Sequence, residues 1–494
     1  MRLLFIVPPQ EYNEAGSPVD RVYGCNYGYD YKPPIHMLSA ATVAQRAGHS
    51  IRFLDCPAED VHKNEFERII SEEPLDAAFF FTPYLSIGED RKAARFIRKV
   101  KGTAPPVVFM GSAPSWKPEM FLEIENAFVI RGEPEQTLVE WLDCIQGKGS
   151  LEKINGLSYL ENGKQCDNPF RELLNIDDLP IPNRRLLRGK YRVNRLNVAP
   201  VTTMCVSRGC AYRCKFCAPN GVDQAIEIEY KRLQEKYIKR PPLRKRRGQL
   251  VIDEFREIAA LGYRGIEISD NHFLWEKSRT LAICEGIKDL GLEWICLARA
   301  PFLHDPEVGR ALREAGCKMV YMGTESFVQE ILDDMRKEIK VSDIHKAVEM
   351  CNRCGVEPEI SVMMGGSALE TPETIDYSIR EAKKLGTRFV HYSVVLPFPN
   401  TEFYDEAKEN DWFVRGEFEC VDNAKEAIIN LPHVSAKELE RKLKWAYFRQ
   451  YYSPRGVFLT IKNIRSPGDL FHKIRVAWKL LFQTLFGLRK KERK

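Results

Sequence analysis

Short, wholly apolar runs recur along the first 150 positions, each separated from the next by a helical pattern. Leu3–Val7, Ile51–Leu54, Ala77–Thr82, Val107–Met110 and Ala127–Ile130 read as strands. His36–Ala47, Phe66–Glu72 and Ala93–Val100 read as helices between them. A strand that is apolar on both faces must be covered on both, and a parallel sheet with helices above and below does this. Residues 1–150 are therefore expected to form a doubly wound α/β domain with its ligand crevice at the carboxyl ends of the strands. Those ends carry Pro8-Pro9, Thr82-Pro83, Gly111-Ser112-Ala113-Pro114 and Gly132-Glu133. Small residues there let the backbone approach a large flat ligand.

Residues 151–195 read as a hairpin, Gly156–Leu160 with a turn at Asn162-Gly163, followed by a polar linker. A second strand–helix series occupies 196–404. Its strands are Val201–Val206, Gly265–Ser269, Trp294–Ala298, Met319–Gly323, Glu359–Met363 and Phe389–Val395. Helices are expected at Ile252–Leu261, Ser278–Leu290 and Val341–Cys354. Units at this spacing favour a barrel or partial barrel with its chemistry on the carboxyl-end loops. Residues 405–494 are expected to be helical. At 494 residues the chain exceeds the reach of one hydrophobic core. No stretch has the roughly 18 uncharged apolar residues of a membrane span, and the short apolar start predicts no signal peptide. A reducing cytoplasm is the expected setting for the fourteen cysteines. Cys284, Cys296 and Cys351 lie in periodic apolar surroundings and read as core.

The sharpest chemical feature is Cys210-Ala211-Tyr212-Arg213-Cys214-Lys215-Phe216-Cys217, directly after a predicted strand. Close thiolates let one loop wrap an iron–sulfur cubane. Three ligands leave one iron open, and an open position permits substrate chemistry. A structural zinc site would need a second Cys or His pair, and the only nearby extra thiol, Cys205, falls inside the predicted strand.

This loop resembles the signature of the radical S-adenosylmethionine (SAM) superfamily. The resemblance implies a [4Fe–4S] cluster on Cys210, Cys214 and Cys217, with SAM chelated to the open iron and cleaved reductively to a 5′-deoxyadenosyl radical. It places Phe216 against adenine. Gly323-Thr324-Glu325-Ser326 resembles the family's GxES motif, and Met364-Gly365-Gly366 its glycine turn. SAM contacts are thus implied for Gly323, Glu325, Gly365 and Gly366, and Arg299 at the end of the third strand is a candidate for the SAM carboxylate. Leu396–Thr401 resembles the PxPGT turn with Asn400 in place of glycine, and Asn tolerates positive φ.

The first domain resembles that of the cobalamin-binding radical SAM group, with Val107–Pro114, Arg131–Glu135 and Asp178–Pro182 matching its strand–turn, RGEGE and linker motifs. The implied fold is a cobalamin-binding-like α/β domain, then a partial (β/α)6 barrel, then a helical C-terminal region. Pro9, Thr82, Gly111, Ser112, Gly132 and Glu133 are the candidate cobalamin contacts. The DxHxxG motif that supplies an axial His elsewhere is missing. Asp60-Val61-His62 comes nearest, and His62 reads as a surface residue. The group includes methyltransferases of unactivated carbons, the anaerobic magnesium-protoporphyrin monomethyl ester cyclase and hopanoid-modifying enzymes. A lipid-like or tetrapyrrole-like substrate and a reducing donor such as flavodoxin or ferredoxin are expected. The alternatives are cyclisation or C–C coupling without methyl transfer, and a non-catalytic iron–sulfur sensor. Nucleic acid is not expected: the tRNA-acting relatives carry a second cysteine set, whereas residues 1–150 hold only Cys25, Cys56 and Cys144.

Two basic runs remain. Lys231–Arg247 has nine basic residues and one acidic, and reads as a solvated charged helix and loop. Ser466–Lys494 combines eleven large apolar residues between Leu470 and Leu488 with a basic end. That combination suits peripheral contact with an anionic membrane; a terminal helix docked on the barrel is the alternative.

Overall fold

The computed structural model describes residues 1–9, 31–102, 105–193, 195–219, 221–234, 240–419, 421 and 423–452. The Ser466–Lys494 tail, Cys25 and residues 235–239 of the basic insert lie outside the described residues.

The first sheet contains β1 (Arg2–Val7), β2 (Ser50–Asp55), β3 (Ala77–Phe81), β4 (Val107–Met110), β5 (Ala127–Ile130), β6 (Leu157–Glu161) and β7 (Lys164–Asp167), in the order β2-β1-β3-β4-β5-β6-β7. Strands β1 to β5 are parallel. Their apolar runs lie between helices that include Ile35–Arg46, Lys63–Glu72, Ile87–Lys101 and Pro134–Ile145. Phe79 is wholly buried, 4.6 Å from the Phe5 ring and edge-on to Trp141. The hairpin was expected to belong with the linker. It instead joins the sheet, β6 antiparallel to β5 and β7 antiparallel to β6, because Leu157 and Tyr159 complete the same buried face.

The second sheet runs from β8 (Val201–Met204). A short antiparallel pair, β9 (Ser207–Arg208) and β10 (Arg244–Lys245), brackets the cysteine loop. Then come β11 (Gly265–Ile268), β12 (Glu293–Ala298), β13 (Cys317–Glu325), β14 (Glu357–Met364) and β15 (Phe389–Val394). The order is β15-β14-β13-β12-β11-β8, all parallel, with β8 and β15 as the two edges of an open, partial barrel. Cys284, Cys296 and Cys351 are core residues here. In the C-terminal region, helices Glu402–Glu409 and Ala436–Tyr451 flank a non-helical stretch that includes a bridge between Phe413 and Ile429. No helix among the described residues is long and apolar enough to cross a membrane.

The carboxyl ends of the two sheets face each other. Val222 and Ile226, on the helix after the cysteine loop, pack into the first sheet's core with Phe5, Met37 and Phe81. Tyr84, just beyond β3, stacks 5.8 Å from Phe398, just beyond β15.

Buried ion pairs seal the join. Arg208 is 5% exposed and binds both Glu133 and Glu135, the latter at 2.5 Å. Arg244 reaches Glu133 at 2.9 Å, and Arg131 reaches Glu229 at 2.9 Å. Glu254 holds Arg184 at 2.6 Å and Arg246 at 2.9 Å. The described part of the basic insert is only partly the solvated surface expected of it: Arg247 is exposed, but Arg246 is buried, and Lys231, Arg232, Arg240, Arg244, Lys245, Arg246 and Arg247 all pair with carboxylates. A basic run reads as solvent-exposed only when its partners, here scattered from Glu133 to Asp405, cannot be seen in the sequence.

Breaking a buried pair from one side leaves an uncompensated charge and costs about 3–5 kcal/mol. Arg208→Met leaves Glu135 with the Ser39 hydroxyl, 2.9 Å away. Burial works to raise the Glu135 carboxyl, but Arg208 overrides it and holds the group below its ordinary value. A depressed carboxylate contributes stability that is present above its unfolded pKa and lost as pH falls through the folded one. Arg208→Met should therefore lower the thermal midpoint clearly at pH 7–8, and the gap to the parent should narrow below the usual carboxylate range. A gap independent of pH would contradict this assignment.

Candidate functional site

The cysteine loop is held from several sides. Gly209 enters it at φ 86°, where a Cβ would stand 2.9 Å from the Pro242 carbonyl oxygen, so only glycine fits without displacement. The Lys215 N–H donates to the Met335 carbonyl (3.1 Å), and the Lys215 carbonyl accepts from the Phe403 N–H (3.0 Å). The Lys215 ammonium lies 2.7 Å from Asp334 and 3.2 Å from Glu406. Within the loop, the Cys217 N–H donates to the Cys214 carbonyl at 3.1 Å.

Cys210, Cys214 and Cys217 lie in the loop that follows β8 and β9, as electrostatic neighbours of one another. Burial, and then the neighbouring Cys214, pushes the Cys210 and Cys217 thiols up. Three such groups can be thiolates together only if positive charge compensates them. Arg299 supplies some, its Nη1 lying 3.8 Å from Cys214 Sγ and its guanidinium 3.5 Å from the Tyr212 ring centre. Among the described residues no three His, Cys, Asp or Glu side chains converge as ligands of a single ion. A cubane asks for something different, one thiolate on each of three irons, and a three-cysteine loop with no further ligand suits it.

Phe216 projects into the apolar cluster formed by Met335, Met363, Leu396 and Phe403. The Lys337 ammonium lies 5.8 Å from its ring. Lys337 also binds Glu325 at 2.6 Å, both groups being buried at the end of β13. A register shift between Gly323 and Glu325 leaves Glu325 at φ 60°, and a Cβ on Gly323 would meet Glu325 Oε1 at 2.5 Å and Lys337 Nζ at 2.7 Å. The Gly365-Gly366 turn follows β14, with Gly365 at φ 83° and its N–H bound to the buried Glu370 carboxylate. Asn400 stands at φ 74°, the left-handed conformation its replacement of glycine requires.

On the opposite side, Gly111 follows β4 at φ 108°, and a Cβ there would press on the Thr82 backbone at 3.1 Å. Ser112 is buried beside it. Gly132 takes φ 71°, and its N–H donates to the Ser115 hydroxyl at 3.1 Å. Pro9 is half-buried at the end of β1. The Thr82 hydroxyl is committed to Asp90 at 2.7 Å. Glu133 is committed to Arg208 and Arg244, and also accepts the Leu174 N–H at 2.9 Å. Arg299 is likewise partly used, its Nη2 donating to the Lys337 carbonyl. His62 lies on the surface, its side chain 70% exposed.

Sequence reasoning passed over the end of β11, where Ser269-Asp270-Asn271-His272 follows a strand as directly as the other motifs do. Asp223, two residues after Gly221, accepts from Asn271 at 2.5 Å. Burial lifts Asp223 to about 6 and Asp270 to about 7. Burial, then Arg299, pulls His272 down to about 3, so it is neutral. Its Nδ1 accepts the Arg299 N–H at 3.3 Å, and its ring meets Trp275 edge-on. Buried polar atoms here lack partners among the described residues: Asp223 Oδ1, Ser269 Oγ, His272 Nε2, Trp275 Nε1 and Arg299 Nε. Each such group costs about 1–3 kcal/mol. Their grouping around Arg299 and Tyr212 fits a polar ligand bound beside the cysteine loop.

Comparison with known proteins agrees with this geometry. Residues 204–382 match the model of the radical SAM superfamily. The chain is 27% identical over 474 residues to an uncharacterized methyltransferase of Pyrococcus horikoshii, covering 94% of this chain and 95% of that one. It resembles the radical SAM methyltransferase TsrM from Kitasatospora setae, solved with cobalamin and a [4Fe–4S] cluster (TM-score 0.61, 20% identity, 83% of this chain and 75% of that one). It also resembles the cobalamin-dependent SAM radical enzyme OxsB, solved with aqua-cobalamin and SAM (TM-score 0.69, 14% identity, 98% and 71%).

The Asn400 geometry is directly testable. Asn400→Gly should leave the thermal midpoint unchanged. Asn400→Val, forced into the same conformation, should cost roughly 1–3 kcal/mol, and equal midpoints for the two variants would refute the left-handed turn. The three-cysteine loop thus lies at the mouth of a partial barrel, within the stretch 204–382 that matches the radical SAM superfamily model.

Proposed function

We propose that the protein is a cobalamin-dependent radical SAM methyltransferase acting on an unactivated carbon of a lipid-like or tetrapyrrole-like molecule. The observation that carries this reading is the opposition of two strand-end crevices, the cysteine loop on one and the Gly111-Ser112 turn on the other. A lone radical SAM barrel would not need the second. When bound, the cluster and SAM supply the radical chemistry and cobalamin carries the methyl group.

In this reading Cys210, Cys214 and Cys217 hold the cluster. Phe216, Arg299, Gly323, Glu325, Gly365 and Gly366 shape the SAM pocket, and the buried Glu325–Lys337 pair presents a fixed charge pattern to its polar end. Pro9, Gly111, Ser112 and Gly132 leave room for the corrinoid. Thr82 and Glu133 act on that crevice indirectly, through Asp90 and Arg208, by fixing its edge. Lys337, Arg299 and the neutral His272 keep positive charge and hydrogen-bond donors near the thiolates. The apolar ring around Phe216 excludes water from the same space.

A further part of the proposal is that the basic apolar tail rests on an anionic membrane surface, where each basic residue adds about 1 kcal/mol. Removal of Ser466–Lys494 should abolish sedimentation with anionic vesicles and spare the cluster. Insoluble truncated protein, with a parent that ignores vesicles, would instead make the tail part of the core.

Anaerobically reconstituted protein should carry about four irons and cleave SAM. Replacing all three loop cysteines with Ala should abolish both, whereas Cys284→Ala should keep both. Cobalamin should bind equally well in His62→Ala. Feeding methyl-deuterated SAM to cells expressing the protein should place one labelled methyl in a lipid or pigment. An unlabelled cyclised or coupled product would replace the methyl-transfer reading.

A further inference from the structure

We propose that Arg240, on the basic segment that returns from the helix after the cysteine loop, is a positioning residue for the iron–sulfur centre: it fastens the loop's backbone and supplies positive charge that favours the reduced cluster. This rests on the assignment of Cys210, Cys214 and Cys217 as cluster ligands.

The geometry is specific. Arg240 Nη1 donates to the Tyr212 carbonyl at 2.8 Å, and Nη2 to the Cys214 carbonyl at 3.3 Å. One planar fork therefore spans the turn between the first two cysteines, which a single-point ammonium could not do. Its side chain is 20% exposed, and Glu227 lies 3.7 Å away on the helix Val222–Gln234, holding the guanidinium from the other side. Arg299 approaches Cys214 Sγ at 3.8 Å, and the Lys337 ammonium lies 5.8 Å from the Phe216 ring.

Reduction adds one negative charge to a centre that already carries three thiolates. A nearby cation stabilises the reduced form more than the oxidised one, and cluster potentials follow local charge and solvent exposure. A partly buried cation is screened less than one in solvent. The other described basic residues of the segment have carboxylate partners of their own: Lys231 with Asp405, Arg232 with Glu229, Arg244 with Glu133, Lys245 with Glu276, Arg246 with Glu254 and Arg247 with Asp177. Those contacts hold the segment against the barrel and so place Arg240.

The test is a redox titration of the reconstituted full-length protein without SAM, followed by electron paramagnetic resonance, with iron content and circular dichroism measured alongside. Arg240→Gln should keep its fold and show a tenfold smaller ratio of reduced to oxidised cluster at a fixed potential, a downward shift of about 59 mV for one electron. Arg240→Lys, which keeps the charge, should stay within threefold of the parent, and Arg247→Gln should match it. Loss of iron from a folded Arg240→Gln would bear out the fastening role, leaving Arg240→Lys to report on charge. Full iron at the parent potential in Arg240→Gln, or an equal drop in Arg240→Lys, would overturn the proposal. Absence of a cluster from the parent protein would sink the ligand assignment instead.

Discussion

A guanidinium sealed between two carboxylates sets the relation between the two halves of this molecule. Arg208 closes β9 just before the cysteine loop and ends on Glu133 and Glu135, at the carboxyl end of β5. Buried charge is costly unless paired, so any rotation of the barrel away from the first sheet would strand all three groups. Arg244–Glu133 and Arg131–Glu229 repeat the restraint within the same region. The helix bearing Val222 and Ile226 adds apolar area to the same contact. The face-to-face crevices, and hence the proposed chemistry between them, depend on this seal.

The cluster loop follows the same logic on a smaller scale. Its cysteines do not shape it unaided; Lys215, Arg240 and Arg299 reach it from the loop itself, from the basic insert and from the end of β12. Arg240 and Arg299 also bring positive charge to the loop, where the proposed cluster would need three thiolates. Position and electrostatics are therefore supplied by the same side chains, and a substitution at one of them alters both.

Much of this was legible in the sequence because it is local. Buried strands announce themselves as apolar runs, and Val107–Met110, Ala127–Ile130 and Val341–Cys354 have the bounds expected of them. The three loop cysteines lie within eight residues, and the positive φ at Asn400 was written in its identity. What could not be read is the pairing of distant residues. Glu133 looked like a ligand contact because it ends a strand, yet its carboxylate is spent on Arg208 and Arg244. The basic insert looked solvated because its carboxylate partners are far away in sequence. The hairpin looked separate because antiparallel pairing with β5 leaves no periodic trace in β5 itself. Asp223, Asn271 and His272 gain their meaning only from burial and from hydrogen bonds that are made or missing.

In the proposed reading the first sheet presents cobalamin to the cluster across the Arg208 seal. The most direct measurement is the electron-spin relaxation of bound cob(II)alamin with the cluster oxidised and then reduced. Paramagnetic reduced cluster in the facing crevice should speed relaxation of the cobalt signal, and the effect should vanish when Cys210, Cys214 and Cys217 are replaced by Ala. A cobalt signal that relaxes identically in both cluster states would place the two cofactors too far apart and contradict the account.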